Sequence, residues 1–135
     1  MFLKPLVTLL LFLSQTQAIY HKSTACNLIS NATLSGSKIR FTSSILAGSN
    51  FTGDSAESSY NVIQTELPEA CRVACEVQTS GNSTARFEVW LPTKTAWNTR
   101  FLGVGNGGWA GGINYPDVVT GLKRGQNLDM FLKIA

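Results

Sequence analysis

Histidine is nearly absent from this 135-residue chain, His21 being the only one. A general base must be held within hydrogen-bond reach of its nucleophile. His21 lies three residues past the end of a predicted leader, and is read as an exposed residue of a flexible terminus. Metal binding has equally little to work with: Cys71-Arg72-Val73-Ala74-Cys75 leaves three residues between its cysteines, and no second pair follows. Charge is sparse too, at 14% of residues with a formal net charge of +3. No Lys/Arg cluster is present to follow a phosphate backbone, which excludes nucleic acid as a partner. After Leu13 no long apolar run recurs, and the run before it is shorter than the roughly 20 residues a membrane span needs. The chain is therefore not expected to be a membrane protein.

Lys4, the apolar run Leu6–Leu13 and the polar stretch closing on Thr16-Gln17-Ala18 have the three-part form of a secretory signal peptide. Cleavage after Ala18 leaves a secreted chain beginning at Ile19. Three sequons agree with that route, at Asn31, Asn50 and Asn82, and mark candidate glycosylation sites. Export also makes the three cysteines candidates for disulfides, with one left over. Cys26 is expected to pair with Cys71 and tether the N-terminal part to the body. Cys75 is then a buried thiol on the strand face of Val73 and Val77, although Cys75 is also an alternative partner for Cys26.

Residues 19–70 form an N-terminal arm rich in Ser, Thr, Gly and Asn, read as loops with one short strand near Lys38–Phe41. From Cys71 the pattern changes. Val73, Cys75 and Val77 alternate with Arg72, Ala74, Glu76 and Gln78, and Phe87, Val89 and Leu91 alternate with Arg86, Glu88 and Trp90. Each is the period of a strand with one buried face, and the turn residues Thr79–Thr84 make the two a hairpin. Arg100–Val104 is a third strand. The glycine-rich stretch Gly105–Gly112 suits neither helix nor strand, because ordering glycine loses the most backbone entropy. Pro116 and Asp117 then open a helix with Val118, Val119 and Leu122 on one side, Lys123 and Arg124 in its last turn and Gly125 as its stop.

Gly103-Val104-Gly105-Asn106-Gly107-Gly108 formally fits the dinucleotide fingerprint G-x-G-x-x-G. That reading is set aside, because a hairpin precedes the motif and no second parallel strand with a ribose-binding acid is identifiable. A strand that runs into Asn-Gly-Gly and then a helix has another use. In α/β-hydrolases the loop after the third strand gives backbone N–H groups to the oxyanion hole, where a side chain would obstruct the approaching carbonyl oxygen. Gly53-Asp54-Ser55 echoes an esterase motif as well, but with no strand before it the segment is read as a solvent loop.

The blocks Phe87-Glu88-Val89-Trp90-Leu91-Pro92, Trp97-Asn98-Thr99-Arg100-Phe101-Leu102-Gly103-Val104-Gly105-Asn106-Gly107-Gly108-Trp109-Ala110-Gly111-Gly112-Ile113 and Leu122-Lys123-Arg124-Gly125 resemble the opening of the tannase/feruloyl esterase family. The resemblance runs from about Cys71 to Gly125. It implies a fungal-type secreted hydrolase of esters between aromatic acids, such as gallate or ferulate, and sugars or alcohols. The implied fold is the N-terminal part of an α/β-hydrolase, with Gly107, Gly108 and Trp109 as oxyanion-hole candidates. The implied mechanism is a Ser-Asp-His triad that works through an acyl-enzyme without cofactor or metal. The family's Cys-Ser-x-Gly-Gly elbow does not occur in this sequence, so no residue here is assigned as catalytic. Residues 126–135 depart from the family pattern and lack a clear strand signal, so a start of the hydrolase domain over 71–125 with a divergent tail is expected, truncated before the elbow. The competing expectation is a non-enzymatic secreted glycoprotein module that uses Trp90, Trp97 or Trp109 to hold an aromatic or sugar ligand, or a pseudogene product.

Overall fold

The computed structural model describes residues 26–125 and the backbone of residues 127–134. The predicted leader 1–18 and His21 lie outside the described residues. The centre of the fold is the predicted hairpin, whose strands are long: β4 is Ala70–Ser80 and β5 is Ser83–Pro92. They pair antiparallel with Val73 opposite Val89 and Ser80 opposite Ser83. Only Gly81 and Asn82 turn the chain, a two-residue connection that favours small or φ-tolerant residues.

The N-terminal arm contributes more than one short strand. Strand β1, Ser37–Ile45, runs antiparallel along β4 for nine residues, and β2 (Ser49–Phe51) and β3 (Gln64–Leu67) form a separate two-stranded ribbon. A register shift between Ile39 and Phe41 breaks the alternation of β1, as a bulge does by adding an unpaired residue. The short strand expected near Lys38–Phe41 is thus part of β1, and that shift and the Ser/Thr-rich composition hide the rest of its length in the sequence. Lys38 and Arg40 supply the charges that commonly protect an edge strand from pairing with other chains.

The tail is the larger correction. Asn127–Ile134 forms strand β7, which lies between β5 and β6 (Phe101–Val104). The sheet order is β1-β4-β5-β7-β6, antiparallel except for the parallel pair β6 and β7. Between that pair runs helix α1, Tyr115–Lys123, so β6, α1 and β7 form a crossover unit of the kind parallel strands require. A second parallel strand thus does follow the glycine motif, in residues expected to lack a strand signal. Among the described residues the architecture is a mixed α/β sheet with helix α1 packed on it.

Asn114 caps α1, its side-chain oxygen accepting the Asp117 N–H at 3.3 Å, and Pro116 stands in the first turn where a missing N–H costs nothing. Gly125, at φ +70°, ends the helix in the left-handed conformation favoured after a last turn. Tyr115, Val118, Val119 and Leu122 are buried against Ile45, Leu67, Ala70 and Trp90. That packing corrects the reading of β5: its alternation is present, but Glu88 and Trp90 face the helix and are buried, while Phe87, Val89 and Leu91 are only half-buried.

Candidate functional site

Strand β6 delivers the chain into the glycine loop at its carboxyl end, and residues 105–114 carry it to the cap of α1. The loop holds a tight turn in which the Ala110 N–H donates to the Gly107 carbonyl at 3.2 Å. Gly108 sits at φ +56°, a left-handed backbone that costs any residue with a Cβ about 1–2 kcal/mol. The Gly107 N–H donates to the Tyr60 hydroxyl at 3.0 Å. Among the described residues the amides of Gly108 and Trp109 make no hydrogen bond. The Trp109 side chain packs on nothing, being 104% exposed.

Behind the loop lies a largely buried polar cluster built on Arg72 and Glu88, which the alternation of the hairpin places away from its apolar face. The Glu88 carboxylate accepts from Arg72 twice, with Nε at 2.7 Å and Nη2 on the other oxygen, and from the Trp90 indole N–H at 2.9 Å. The Tyr115 hydroxyl accepts from Arg72 Nη2 at 3.0 Å. It lies 3.0 Å from Asp54 Oδ1 and 3.2 Å from Glu88 Oε1, donating its single proton to one of them at a time. Arg72 is also stacked among rings, with Cζ 5.1 Å from the centroid of Phe41, 5.0 Å from Phe51 and 5.5 Å from Tyr115. Hairpin, residues 53–55 and the first residue of α1 therefore meet at one guanidinium. A cleft of about 340 Å³ opens beside the cluster, lined by Asp54, Ser55, Arg72, Glu88 and Tyr115 among others.

The electrostatics follow from this crowding. Burial pushes the Tyr115 phenol far above its ordinary range, and the Glu88 carboxylate adds to the shift. Burial works against the charge of Arg72, but its hydrogen bonds to Glu88 and the Glu88 charge outweigh it and hold the guanidinium firmly protonated. Burial likewise opposes ionisation of Asp54. The hydrogen bond from Tyr115 and the Arg72 charge overcome it, leaving the Asp54 carboxyl below its usual value.

The G-D-S segment follows closely on strand β2 and is solvent-facing only in part, the Asp54 side chain being 86% exposed and Ser55 Oγ buried. Asp54 reaches the cluster, while Ser55 binds Asn61 in both directions, its N–H donating to Oδ1 at 2.7 Å and its carbonyl accepting from Nδ2 at 2.9 Å. Ser55 Oγ is buried without a hydrogen-bond partner, facing Gly112, where an added Cβ would stand 2.1 Å away. Among the described residues no base stands beside it to activate it as a nucleophile. Of the other singled-out residues, Cys26 is bonded to Cys71, and Cys75 lies outside that bond, buried. Asn31, Asn50 and Asn82 are all exposed. Trp90 is core, whereas Trp97 is 42% exposed.

The W-N-T-R stretch does structural work at the far end of the crossover. Asn98 Nδ2 donates to the Arg124 carbonyl at 2.8 Å, the Asn98 N–H donates to the Gly125 carbonyl at 2.8 Å, and the Trp97 indole N–H donates to the Arg100 carbonyl at 3.1 Å. The entry to β6 is thus tied to the exit of α1, which fixes the strand that aims the glycine loop.

A mixed α/β sheet with a glycine turn at the carboxyl end of a parallel strand belongs to the folds that place ligands outside strand ends. No family model matches the sequence. Among curated proteins the chain is similar to feruloyl esterases. It is 40% identical over 88 residues to "Probable feruloyl esterase B-2" of Aspergillus flavus, covering 63% of this chain and 16% of that protein. It is also 40% identical over 81 residues to feruloyl esterase C of Talaromyces stipitatus, covering 59% and 15%. Among solved structures an esterase from Aspergillus oryzae superposes with a TM-score of 0.68 at 28% identity, over 77% of this chain and 20% of that one. The chain thus spans about one-sixth of the length of these curated relatives.

Proposed function

We propose that this chain is the N-terminal part of a secreted carboxylic ester hydrolase of the feruloyl esterase kind, and that it carries the oxyanion-binding turn of an α/β-hydrolase fold. The observation that carries the reading is the turn Gly107–Ala110, standing at the end of a parallel strand with the Gly108 and Trp109 amides unpaired. Two such amides are what a tetrahedral intermediate's oxygen requires. The chemistry is attack by an activated serine on the ester carbonyl, an acyl-enzyme, and its hydrolysis by water. No residue of this chain is assigned to that triad, and the substrate is an ester of an aromatic acid such as ferulate or gallate. The exposed indole of Trp109 beside the turn offers a face on which such an acid can stack. Exposure of Asn31, Asn50 and Asn82 supports their use as glycan sites in a secreted glycoprotein.

The test is a pair of assays on methyl ferulate and methyl gallate. The chain alone is expected to turn over neither. A chimera in which it replaces the matching segment of the Talaromyces stipitatus feruloyl esterase is expected to be active, and to lose activity roughly 100-fold or more when Gly108→Pro, whose ring cannot adopt φ +56°, removes one amide donor and the turn that aims the other. Turnover by the chain alone, or a folded chimera indifferent to that substitution, overturns the reading. Secretion from a glycosylating host should remove residues 1–18 and give a product whose mobility shifts on glycosidase treatment.

A further inference from the structure

We infer that Tyr60 is a positioning residue for the glycine turn: its hydroxyl holds the Gly107 amide so that the next two amides, Gly108 and Trp109, face outward unpaired. The inference rests on the oxyanion reading of that turn and assigns its geometry to a residue 47 positions earlier. Gly107 is held on both sides of its Cα, its N–H by the Tyr60 oxygen at 3.0 Å and its carbonyl by the Ala110 N–H at 3.2 Å. With the first residue of the turn fixed on both sides, Gly108 at φ +56° gives the left-handed second residue of a primed turn, which sets the direction of the central peptides. A tyrosine is suited to this task because a phenol oxygen at the end of a rigid ring accepts a hydrogen bond with only two torsions to fix.

Tyr60 is itself held. It ends a 3-10 turn, Ser58–Tyr60, whose first amides are capped by Glu57, the Ser59 N–H donating to its carboxylate at 3.1 Å. Asn61 next to it is locked to Ser55 by the reciprocal pair of bonds described above. Ser55 in turn presses on Gly112, the far end of the same glycine loop, where an added Cβ would meet Ser55 Oγ at 2.1 Å and the Glu57 amide nitrogen at 2.8 Å. Residues 55–61 therefore grip the loop at two points, a hydrogen bond at Gly107 and van der Waals contact at Gly112. Between those two points lie the unpaired amides. An anion reaching them needs no rearrangement of donors, which is the condition under which such donors are most effective.

The experiment uses the full 135-residue chain, uniformly labelled with ¹⁵N, and acetate as the probe carboxylate. Wild-type chain is expected to show saturable acetate shifts at the Gly108 and Trp109 amides and slow hydrogen exchange at the Gly107 amide. Tyr60→Phe, which removes one oxygen atom, is expected to speed Gly107 exchange and to weaken acetate binding at both amides, each by roughly fivefold. The Ser55 and Asn61 resonances should stay in place, which separates lost positioning from lost fold. Asn61→Ala, releasing the grip from behind, should move both quantities in the same direction. Unchanged acetate binding in Tyr60→Phe overturns the inference, and so does tighter binding, which would make Tyr60 a competitor for the site. Absence of acetate shifts in the wild-type chain overturns the oxyanion reading beneath it, and Gly107 exchange then reports separately on whether Tyr60 holds the loop.

Discussion

Arg72 and Glu88 stand diagonally across the β4–β5 hairpin and join through both carboxylate oxygens, with side chains only 12% and 5% exposed. The pair has a satisfied shell: Trp90 and Tyr115 bond to Glu88, and Tyr115 and Asp54 to Arg72. Removing one partner strands a buried charge. Glu88→Ala should therefore destabilise the chain by about 3–5 kcal/mol, whereas the double substitution Arg72→Met with Glu88→Leu should come within roughly 1–2 kcal/mol of wild type. Urea midpoints decide between these, and a double variant as unstable as the single one contradicts the account.

Gly53 supports the ring of Tyr115 so closely that an added Cβ would lie 1.9 Å from Cε2, whereas one at Gly105 would meet nothing within 4 Å. Gly53→Ala must push the tyrosine off its acceptors and is expected to cost about 1–3 kcal/mol. Gly105→Ala, in the glycine-rich motif itself, should change stability by about 0.5 kcal/mol or less. Thermal unfolding of both variants tests this. Equal effects would mean that the motif, and not the contact with Tyr115, dictates where glycine is needed.

Much of this arrangement was legible in the residues, and the remainder failed for identifiable reasons. The hairpin, the third strand, the glycine loop and the helix with its Gly125 stop are each signalled locally, by alternation, by glycine density or by end residues. Alternation gives the period of β5 but not which set faces the core. Glu88 reads as solvated until it is known that Arg72, two strands' width of sequence away, neutralises it beneath Tyr115. Strand β1 is legible only over Lys38–Phe41, because the register shift after Ile39 breaks the alternation of the full strand. Strand β7 was missed despite a usable signal, since Leu128, Met130, Leu132 and Ile134 recur with period two. The hydrogen bond from Gly107 to Tyr60 has no sequence signature at all, because it depends on how the segment around Ser55 folds back on the loop.

The bond between Cys26 and Cys71 closes a separation of 45 residues and attaches the start of the described chain to β4. Its reduction should lower stability by about 2–4 kcal/mol. Cys75 is 1% exposed, so the oxidised native chain should present no rapidly reacting thiol to a chromogenic disulfide reagent, and a single one after unfolding in denaturant. A fast thiol in the native state would show that the pairing differs or that β4 does not cover Cys75.

The polar cluster should also set the pH limits of the fold, from opposite sides. Asp54 has a folded-state pKa below its ordinary 3.8, so in the window between the two values the unfolded chain binds more protons and stability rises with pH. Its contribution is complete above about pH 4 and is lost as pH falls through the folded value. Because the Asp54 side chain is 86% exposed, this acid-side loss should be small. Tyr115 acts at the other end, its folded-state pKa lying above the ordinary 10.0. Beyond pH 10 the unfolded phenol gives up its proton while the folded one keeps it, so the folded chain binds more protons and stability falls as pH rises. Urea midpoints measured from acid to alkaline pH should therefore drop on the alkaline side with a steeper slope in wild type than in Tyr115→Phe. Phenolate absorbance should agree: of the three tyrosines, the one removed by that substitution should ionise only together with unfolding. A wild-type chain whose Tyr115 titrates near pH 10 while still folded would show that the hydroxyl is not confined between Glu88 and Asp54 as described.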